Sequence, residues 1–558
     1  MIRVQGTRVL VDTKTLTAEI DRGFLTSLKS KAAGEQFIEP FDLTGEAALQ
    51  LIYGGGQVVR LDGKPYGRIE CIALSTHRAE IAIQSWEGDG VLSVSEVPET
   101  GDLIIEPSAY SSRPGVLACR WTIKGIRSDL EMVAPLYQGV RLKLDDELLR
   151  LTRWEWPYLW EAGLAILQGS GAGFSVHTQD TGYRYKALKV GSETDNRAVG
   201  LDSEAYGPID RNLSAGGVAW VINVHDGDWK VPAGQYRDWL WKAYGLAEAA
   251  RKRADWIRDI GLAVCWCPVD LQLLEALAKQ VDPRRCLLHI PRWRTDPYDE
   301  NYPTYEASEE ARRFIARGHE LGFRMMPHFN AIDMDPNHPV YANVRDFQYR
   351  HVDSKRVLGW TSDRGNYYDV PESNAERHLH RDKKVMVKIH PGLGTWRSIL
   401  GRRVLAAAQD LSLECAFIDV TLCLYNVDGC WVDATTPVEG MKRLIDHVAR
   451  LGDGLVVGGE GINEVTMQGL SFAQAHLFYG GQGLPGLERT GGCDLNHFLW
   501  GDLCRSIGYT GLSGRTEEDR LGMRLHEEHG TIPTITVSSP EEILKPNEAV
   551  QRALKAAR

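Results

Sequence analysis

Long apolar runs are missing from this chain of 558 residues. No stretch of about 18 apolar residues occurs, so the sequence predicts no membrane-spanning helix. The first residues, MIRVQGTRVLVDTK, lack a basic segment followed by an apolar one, so we expect no secretory signal peptide. An excess of positive charge is also lacking, because 75 Asp and Glu residues outnumber 64 Lys and Arg residues and the formal net charge is −11. We therefore expect neither a membrane nor a nucleic-acid partner.

Cysteines are few, and their spacing does not indicate a metal site. The ten cysteines are scattered, and several lie within apolar runs such as LAVCWCPV and LECAFIDV. Cys265 and Cys267 form a C-x-C pair, which lacks the two-residue spacer and the second pair of a zinc site. Buried free thiols in a reducing compartment are the simplest interpretation, so we expect a cytoplasmic protein.

Glycine-rich motifs of nucleotide-binding proteins are absent as well. No G-x-G-x-x-G opens a helix after a strand, and no G-x-x-x-x-G-K-[ST] occurs. Aromatic residues, in contrast, are plentiful, with 16 Trp and 20 Tyr. Their flat apolar rings with a polar handle suit sugar or aromatic ligands, although they also fill ordinary cores. We expect no cofactor.

Two kinds of hydrophobic pattern divide the chain into regions. Short apolar or alternating runs such as TRVLVD, AEIAIQSW and VLACRWTIKG, separated by Gly, Asp, Asn and Pro, predict an antiparallel β-sandwich over residues 1–232. Residues 233–257 change to helical spacing and predict a bridging helix. Strand-like and helical runs then alternate, which is typical of βα units around a parallel sheet. We predict a (β/α)8 TIM barrel over 258–545 and a helical tail over 546–558, with a doubly wound sheet as the alternative to the barrel.

Eight strand-like runs carry the barrel prediction. They are GLAVCWCPVD (261–270), CLLHIPRW (286–293), FRMMPHFNAID (323–333), VMVKIHPG (385–392), ECAFIDVTL (414–422), GLVVGGEG (454–461), AHLFYG (475–480) and TIPTITV (531–537). Catalytic groups of such barrels come from the carboxyl ends of the strands. The polar residues that end these runs are therefore the candidate site.

Asp419 and Glu460 are the most informative of these residues. They end two successive strand-like runs, and an acidic side chain there is costly unless it is hydrogen-bonded or functional. Neighbouring parallel strands lie about 4.8 Å apart, so both groups could flank one small substrate. A pair of carboxyl groups in one pocket is what glycoside hydrolysis requires. The alternative is that Asp419 caps its loop and Glu460 pairs with an arginine.

Other strand-end residues suit a sugar pocket. The candidates for stacking on a sugar ring are Trp266, Trp293 and Tyr425, and those for binding its hydroxyl groups are Asp270, Arg292, His328, Asn330, Asp333, Lys388 and His390. The run HFNAIDMDPNH (328–338) also resembles a divalent-metal site. A metal-dependent barrel hydrolase using His328, Asp333 and His338 is therefore one alternative function. A non-catalytic carbohydrate-binding protein is the other.

Several short motifs together resemble a known group of enzymes. They are Y-R-x-W at Tyr236, P-x-x-x-x-W-R-x-x-L at Pro391, the strand ends F-I-D-V and G-E-G, and G-x-L-x-S-L at Gly23 near the start. The chain resembles the retaining α-glycosidase barrels. It is most similar to the endo-α-N-acetylgalactosaminidase-like and α-galactosidase-related glycoside hydrolases, which carry an N-terminal galactose-mutarotase-like sandwich.

The resemblance implies a function and the roles of two residues. In that group the Asp on barrel strand four is the nucleophile and the Glu on strand five is the acid/base, and Asp419 and Glu460 match those positions. The implied activity is retaining hydrolysis of small α-linked glycosides or oligosaccharides, without a cofactor or metal. Phe417 stands where the α-amylase pattern has Arg, which leaves the sugar and its anomer unassigned. The sequence gives no oligomeric state.

Overall fold

The chain folds into two compact units in a computed structural model. The structure describes residues 1–558 except 44–46, 64–66, 147–148, 150, 193–194, 364–365, 369–383, 452–453, 476–491, 510 and 515–517. The first unit is built mainly from Met1–Ala243, with two short segments from later in the chain. The second unit is built from most of the chain that follows, beginning at Tyr244.

The first unit consists of antiparallel β-sheets. Its strands are β1 (Ile2–Gln5), β2 (Arg8–Asp12), β3 (Leu16–Asp21), β4 (Phe24–Ser30), β5 (Leu49–Tyr53), β6 (Val58–Leu61), β7 (Ile69–Ser75), β8 (Arg78–Gln84), β9 (Gly88–Val97), β10 (Asp102–Ser111), β11 (Val116–Ile123), β12 (Glu131–Ala134), β13 (Val140–Lys143), β14 (Arg153–Glu155), β15 (Leu164–Gln168), β16 (Ala172–His177), β17 (Lys186–Val190), β18 (Val199–Glu204), β19 (Ser214–Gly216) and β20 (Trp220–Asp226). They form a ten-stranded sheet, a six-stranded sheet and a four-stranded sheet. The predicted antiparallel sandwich is confirmed.

Strand β10 shows why these residues form a half-buried sheet. Its sequence DLIIEPSAYS alternates buried and more exposed side chains along almost its whole length. Successive side chains of a strand point to opposite faces, so alternation of this kind buries one face against the second sheet.

Residues 230–259 form three helices where the sequence predicts one bridging helix over 233–257. The helices are α1 (Lys230–Ala243), α2 (Leu246–Arg251) and α3 (Trp256–Asp259). Gly245 interrupts the first two, because its φ of 64° lies in the left-handed region, which a continuing α-helix does not use.

The second unit is a parallel barrel with an inserted antiparallel sheet. The barrel strands are β21 (Leu262–Val264), β22 (Cys286–Ile290), β23 (Arg324–Asn330), β28 (Cys415–Asp419), β29 (Val456–Glu460), β30 (Phe472–Ala475), β31 (Arg505–Gly508) and β32 (Thr534–Ile535). The first seven pair in parallel in this order, and β32 pairs in parallel with β21. Isolated parallel bridges from Ile507 to Ile532 and from Leu512 to Ile535 connect the segments around β31 and β32 and close the ring. The predicted TIM barrel is confirmed.

The inserted sheet lies between the third and fourth barrel strands in the chain. It consists of β24 (Asp333–Met334), β25 (Gly359–Asp363), β26 (Asn366–Tyr368) and β27 (Lys384–Lys388), in the order β24, β27, β25, β26. The run 385–392 therefore belongs to this antiparallel sheet, and its assignment to the barrel is wrong. The barrel instead contains the short strand β31, a segment that the sequence analysis did not identify as a strand. For the run 475–480, the strand β30 ends at Ala475, and 476–480 lie outside the described residues.

Helices follow most barrel strands. They are α4 (Leu271–Ala278), α5 (Glu309–Leu321), α6 (Gly394–Leu411), α7 (Pro437–Leu451), α8 (Leu495–Trp500), α9 (Glu518–Glu528), α10 (Pro540–Leu544) and α11 (Glu548–Lys555). Helix α5 shows the local signals that set such bounds. The Ser308 hydroxyl accepts from the amide of Ala311 at the start, and Gly322 ends the helix with a φ of 98°.

The barrel interior is apolar beneath the strand ends. Its core includes Leu287, Met326, Phe417, Phe472 and Ile507, one from each of five strands. All ten cysteines are free thiols, nine of them buried. Among the helices that the structure describes, none combines the length and the apolar character needed to cross a bilayer.

Candidate active site

Two carboxyl groups, one half-buried and one buried, end neighbouring barrel strands. Asp419 is the last residue of β28 and Glu460 is the last residue of β29, and these strands pair in parallel. A Glu460 carboxylate oxygen accepts the amide of Val420, the residue after Asp419, at 3.0 Å. Burial and the negative charge of Glu460 raise the pKa of Asp419 well above its ordinary value. The two carboxyl groups therefore form one electrostatically coupled pair at the carboxyl end of the barrel.

The backbone beside this pair is strained. Val420 has a φ of 64°, which is unusual for a β-branched residue. Trp266 after β21 and Asp299 after β22 also have positive φ, of 53° and 59°. Each such residue costs about 1–3 kcal/mol and persists where the surroundings fix it, and functional sites collect such residues. The amide of this strained residue, Val420, is the one that donates to Glu460.

A buried ion pair from the inserted sheet lies near both carboxyl groups. The Lys388 ammonium donates to Asp333 at 2.8 Å, and the Trp360 indole N–H donates to the other Asp333 oxygen at 2.9 Å. Burial lowers the pKa of Lys388, but the negative charges of Asp333 and Glu460 outweigh this effect, so the net shift of the pKa is upward. Lys388 also opposes the rise in the pKa of Asp419. Lys388 thus places a buried cation near the carboxyl pair.

The loop after β22 supplies two groups that the sequence did not single out. Burial and then the negative charge of Asp333 raise the pKa of Asp299 to about 7. Burial and then the charge of Asp419 raise the pKa of the neighbouring Tyr298 well above its usual range. The Tyr298 ring lies 5.3 Å from the Trp266 ring and 5.2 Å from the His328 ring. The only sequence signal for this loop was its richness in Tyr and acidic residues, PYDENYP (297–303).

His328 connects the site to the barrel interior. Its Nε2 lies 3.7 Å from an Asp419 oxygen, and its Nδ1 lies 3.3 Å from Nε2 of His289 on the neighbouring strand. Asn330 pairs in register with Asp419, and its amide oxygen accepts the backbone amide of Asp333 at 2.8 Å. The structure therefore brings seven of the predicted residues to one end of the barrel: Trp266, His328, Asn330, Asp333, Lys388, Asp419 and Glu460.

Four other predicted ligands have structural partners. Asp270 caps α4 by accepting the amide of Gln272 at 2.8 Å, which explains an acidic residue at that position. The Trp293 ring is fully buried, and its N–H donates to the His328 carbonyl at 2.8 Å. His390 binds the Cys430 carbonyl and the Gly392 amide. The Tyr425 hydroxyl lies 3.3 Å from the Cys423 thiol.

Arg292 differs from these, because its side chain is exposed after β22. It follows the strand by only two residues, so strand position alone suggested it. The loop that reaches Asp419 lies several residues further along, at Tyr298 and Asp299.

The polar run 328–338 is distributed among separate partners. His328 binds His289, Asp333 binds Lys388 and Trp360, and the two His338 nitrogens lie 3.1 Å from the Val340 amide and the Thr304 hydroxyl. Within the described ranges, no three His, Cys, Asp or Glu side chains are grouped so that they could hold a metal ion. The geometry of these residues gives no support to the metal-dependent alternative.

The first unit has a cleft of its own. It has a volume of about 650 Å³ and is lined by residues that include Tyr110, Arg184, Glu204 and Tyr206. None of the predicted site residues lines it.

Comparisons with known proteins support the fold. A family profile described as a domain of unknown function, DUF6259, matches residues 217–434. Among curated proteins no sequence match was found. The ligand-free structure of the alpha-N-acetylgalactosaminidase NagBb from Bifidobacterium bifidum superposes with a TM-score of 0.66 at 13% identity, covering 100% of this chain and 93% of that chain.

Two further solved structures were compared. The Gal-NHAc-DNJ complex of the same Bifidobacterium bifidum enzyme gives a TM-score of 0.67 at 12% identity, covering 98% of this chain and 92% of that one. The GH36 alpha-galactosidase AgaB from Geobacillus stearothermophilus gives a TM-score of 0.48 at 8% identity, covering 100% and 85%. At 12–13% identity, the likeness to the Bifidobacterium bifidum enzyme shows the fold alone. The chain therefore has the sandwich-and-barrel fold of the Bifidobacterium bifidum enzyme over its length, and the resemblance in the sequence is confirmed at that level.

Proposed function

We propose that the protein is a glycoside hydrolase that acts on α-linked glycosides by a retaining mechanism. The observation that carries the proposal is the coupled pair of Asp419 and Glu460 at the ends of adjacent barrel strands. Such a pair supplies the two carboxyl groups of glycoside hydrolysis, one protonated and one ionised. The α linkage and a sugar of the N-acetylgalactosamine class are suggested by the alpha-N-acetylgalactosaminidase with this fold, which is known with bound GalNAc.

In the proposed mechanism Asp419 attacks the anomeric carbon. Glu460 donates a proton to the leaving oxygen, so that the glycosidic bond breaks as the bond to Asp419 forms. Glu460 then takes a proton from water, and this water displaces Asp419 from the sugar. The Lys388 ammonium favours ionised carboxylates nearby, while burial disfavours a second negative charge, so the pair retains one proton.

The aromatic and polar side chains around the carboxyl pair are of the kinds that bind sugars. Trp266 and Tyr298 form an aromatic edge, and the Lys388–Asp333 pair lies on the side of the inserted sheet. Aromatic faces with fixed polar groups bind sugars through C–H and hydroxyl contacts. We infer that these groups hold the reacting sugar ring.

A substrate panel tests the proposal. Purified protein is incubated with aryl α- and β-glycosides of galactose, N-acetylgalactosamine, glucose and N-acetylglucosamine, with Asp419→Asn as the inactive control. Asp428→Asn is the matched control, since Asp428 lies in the same loop region and pairs with Lys355 at 2.5 Å. We expect release of the aryl group from an α-glycoside by the wild type and the Asp428 variant only.

NMR of the product decides the stereochemistry. A retaining enzyme first releases the α-anomer of the sugar, whereas an inverting enzyme first releases the β-anomer. Hydrolysis confined to β-glycosides, or equal activity of Asp419→Asn, would overturn the proposal.

A further inference from the structure

A buried polar chain runs across the barrel interior to Asp419. It begins at Gln474 on β30, continues through His289 on β22 and His328 on β23, and ends at Asp419 on β28. Strands β22 and β30 are not neighbours in the sheet, so the first contact spans the interior of the barrel. Both imidazole rings are buried.

A backbone N–H donor determines which tautomer His289 adopts. The Trp266 backbone N–H and the Gln474 side-chain N–H both lie 3.5 Å from Nδ1 of His289. A backbone N–H can only donate, so Nδ1 acts as the acceptor. Burial lowers the pKa of His289 to about 3, so the ring is neutral at physiological pH. Its one proton therefore lies on Nε2.

The same reasoning carries over to His328. Nε2–H of His289 faces Nδ1 of His328 at 3.3 Å, so this Nδ1 accepts. Burial, His289 and Arg294 lower the pKa of His328 well below its usual value, which keeps this ring neutral as well. Its proton is then on Nε2, which is buried and has no hydrogen-bond partner in the part of the chain that the structure describes. This N–H lies 3.7 Å from the Asp419 carboxyl group.

We propose that His289 and His328 form a relay of fixed tautomers that presents a neutral N–H to Asp419 and favours its ionised form. The inference rests on the proposed function, because a nucleophilic Asp419 must be ionised to attack. A hydrogen bond donated to a carboxylate favours the charged form. Catalytic contacts that are too long for a hydrogen bond in a substrate-free site often tighten when the substrate binds, so we expect the 3.7 Å separation to shorten. His328 and His289 are thus positioning residues.

Several titratable groups lie near Asp419 besides the relay. They are Glu460 on β29, Asp299, Tyr298 and Tyr302 in the loop after β22, Asp333 on β24 and Lys388 on β27. Lys388 is the cation among them, and its ammonium already donates to Asp333. Loss of the His328 N–H would therefore leave Asp419 with less support for its negative charge.

A matched pair of variants tests the relay. His289→Gln places an amide donor at the Nε2 position, whereas His289→Asn reaches only the Nδ1 position, and both variants keep a polar side chain. We expect the acidic limb of the kcat/KM profile to move to higher pH by about one unit in His289→Asn and in His328→Phe. His289→Gln should restore most of the shift. His526→Gln is the control, since His526 is equally buried but binds a carbonyl within α9.

¹⁵N NMR of the histidine side chains determines the tautomers of His289 and His328 without any substrate. In wild-type protein labelled with ¹⁵N-histidine, both rings should show the Nε2–H tautomer, and His289→Asn should shift His328 away from it. A Nδ1–H tautomer of His328 in the wild type, or no response to His289→Asn, would overturn the relay whatever the activity. An unmoved acidic limb in an active His289→Asn enzyme would overturn its positioning role while the hydrolase proposal stands. Failure of the wild type on every glycoside would overturn the hydrolase proposal, and the NMR result would still decide the relay.

Discussion

At the residue scale, the chemistry depends on how one proton is divided between Asp419 and Glu460. The Val420 amide favours a negative charge on Glu460, whereas a retaining reaction in the proposed direction needs that charge on Asp419. The reversed assignment of roles is therefore the alternative that kinetics must exclude.

The first prediction separates the two roles by rescue with azide. Asp419→Ala should lose turnover on every glycoside, because no group remains to form the covalent intermediate. Glu460→Ala should keep much of the first step with an activated aryl glycoside but lose about 10²–10⁴-fold with a poor leaving group. Azide should give an inverted glycosyl azide with Asp419→Ala and a retained one with Glu460→Ala, as read by NMR. The opposite pattern of products would show that the roles are reversed.

The second prediction concerns the buried carboxyl group of Asp299. Burial raises its pKa to about 7, so this carboxyl group is protonated in the folded protein below about pH 7. In the unfolded protein it becomes protonated only below about pH 4. A raised carboxyl pKa therefore lowers stability progressively as pH rises from about 4 to 7, and the cost is complete above 7. Asp299→Asn should stabilise the protein by about 2–3 kcal/mol more at pH 8 than at pH 5 in urea unfolding. Asp346→Asn, at an exposed carboxyl group, is the control, and an equal gain at both pH values would contradict the assignment.

The sequence predicted the carboxyl pair and several of its neighbours but missed Tyr298 and Asp299, for a physical reason. Asp419 and Glu460 each end a buried run, and a charged residue at such a position is visible in one dimension. Tyr298 and Asp299 lie in a loop whose path back over the barrel depends on tertiary packing. Asp270 was misleading because a helix N-cap and a strand-end ligand have the same sequence pattern.

At the scale of elements, strand β29 places Glu460 by close packing. Its sequence VVGGE carries Gly458 and Gly459 directly before the carboxyl group. A Cβ on Gly459 would lie 2.7 Å from the Thr421 hydroxyl and 2.7 Å from a methyl group of Leu470. The same hydroxyl donates to the Glu460 carbonyl at 2.7 Å. Glycine therefore lets Thr421 hold the strand end.

The third prediction follows from that contact. Gly459→Ala should force Thr421 away from β29, costing about 1–3 kcal/mol of stability. Because Glu460 moves with the strand end, kcat should fall more than KM rises. Gly429→Ala, at a position with open space around the new Cβ, should leave both stability and kinetics unchanged. Wild-type kcat in a destabilised Gly459→Ala enzyme would show that Thr421 does not position Glu460.

The elements that sequence periodicity predicted best are the long ones. The sequence predicts helices over 307–322, 395–411 and 437–452, and the observed α5, α6 and α7 lie within two residues of these ranges because each has a periodic apolar face. The run 385–392 was misassigned because a buried antiparallel strand and a buried parallel strand have the same composition. Strand β31 has four residues, RSIG, which are too few to show a period.

At the scale of the whole molecule, buried neutral histidines limit stability in acid. Burial lowers the pKa of His177, His225, His390 and His526 to about 4 and that of His289 to about 3. These rings lie in both units, two in the first and three in the second. Unfolded histidine takes up a proton below about pH 6.5, whereas the folded rings do not.

The fourth prediction is a loss of stability as pH falls. Between about pH 6.5 and pH 5 the unfolded chain binds more protons at these histidines, so each contributes a loss of about 2 kcal/mol at pH 5. Protonation of the carboxyl groups whose pKa values are raised in the folded state, among them Asp299 and Asp419, acts in the opposite direction but involves fewer groups than these histidines. Thermal unfolding should show a lower Tm at pH 5 than at pH 7. A Tm that rises or stays level across this range would contradict the neutral, buried state of the five rings.

Covalent trapping tests the central claim, that Asp419 is the nucleophile of a retaining α-glycosidase. The enzyme is treated with the 5-fluoro-α-glycosyl fluoride of whichever sugar the panel identifies, and the adduct is located by peptide mass spectrometry. The account predicts one glycosyl group on the peptide that contains Asp419, and no adduct in Asp419→Asn. An adduct on Glu460, or hydrolysis with inversion and no adduct, would contradict it.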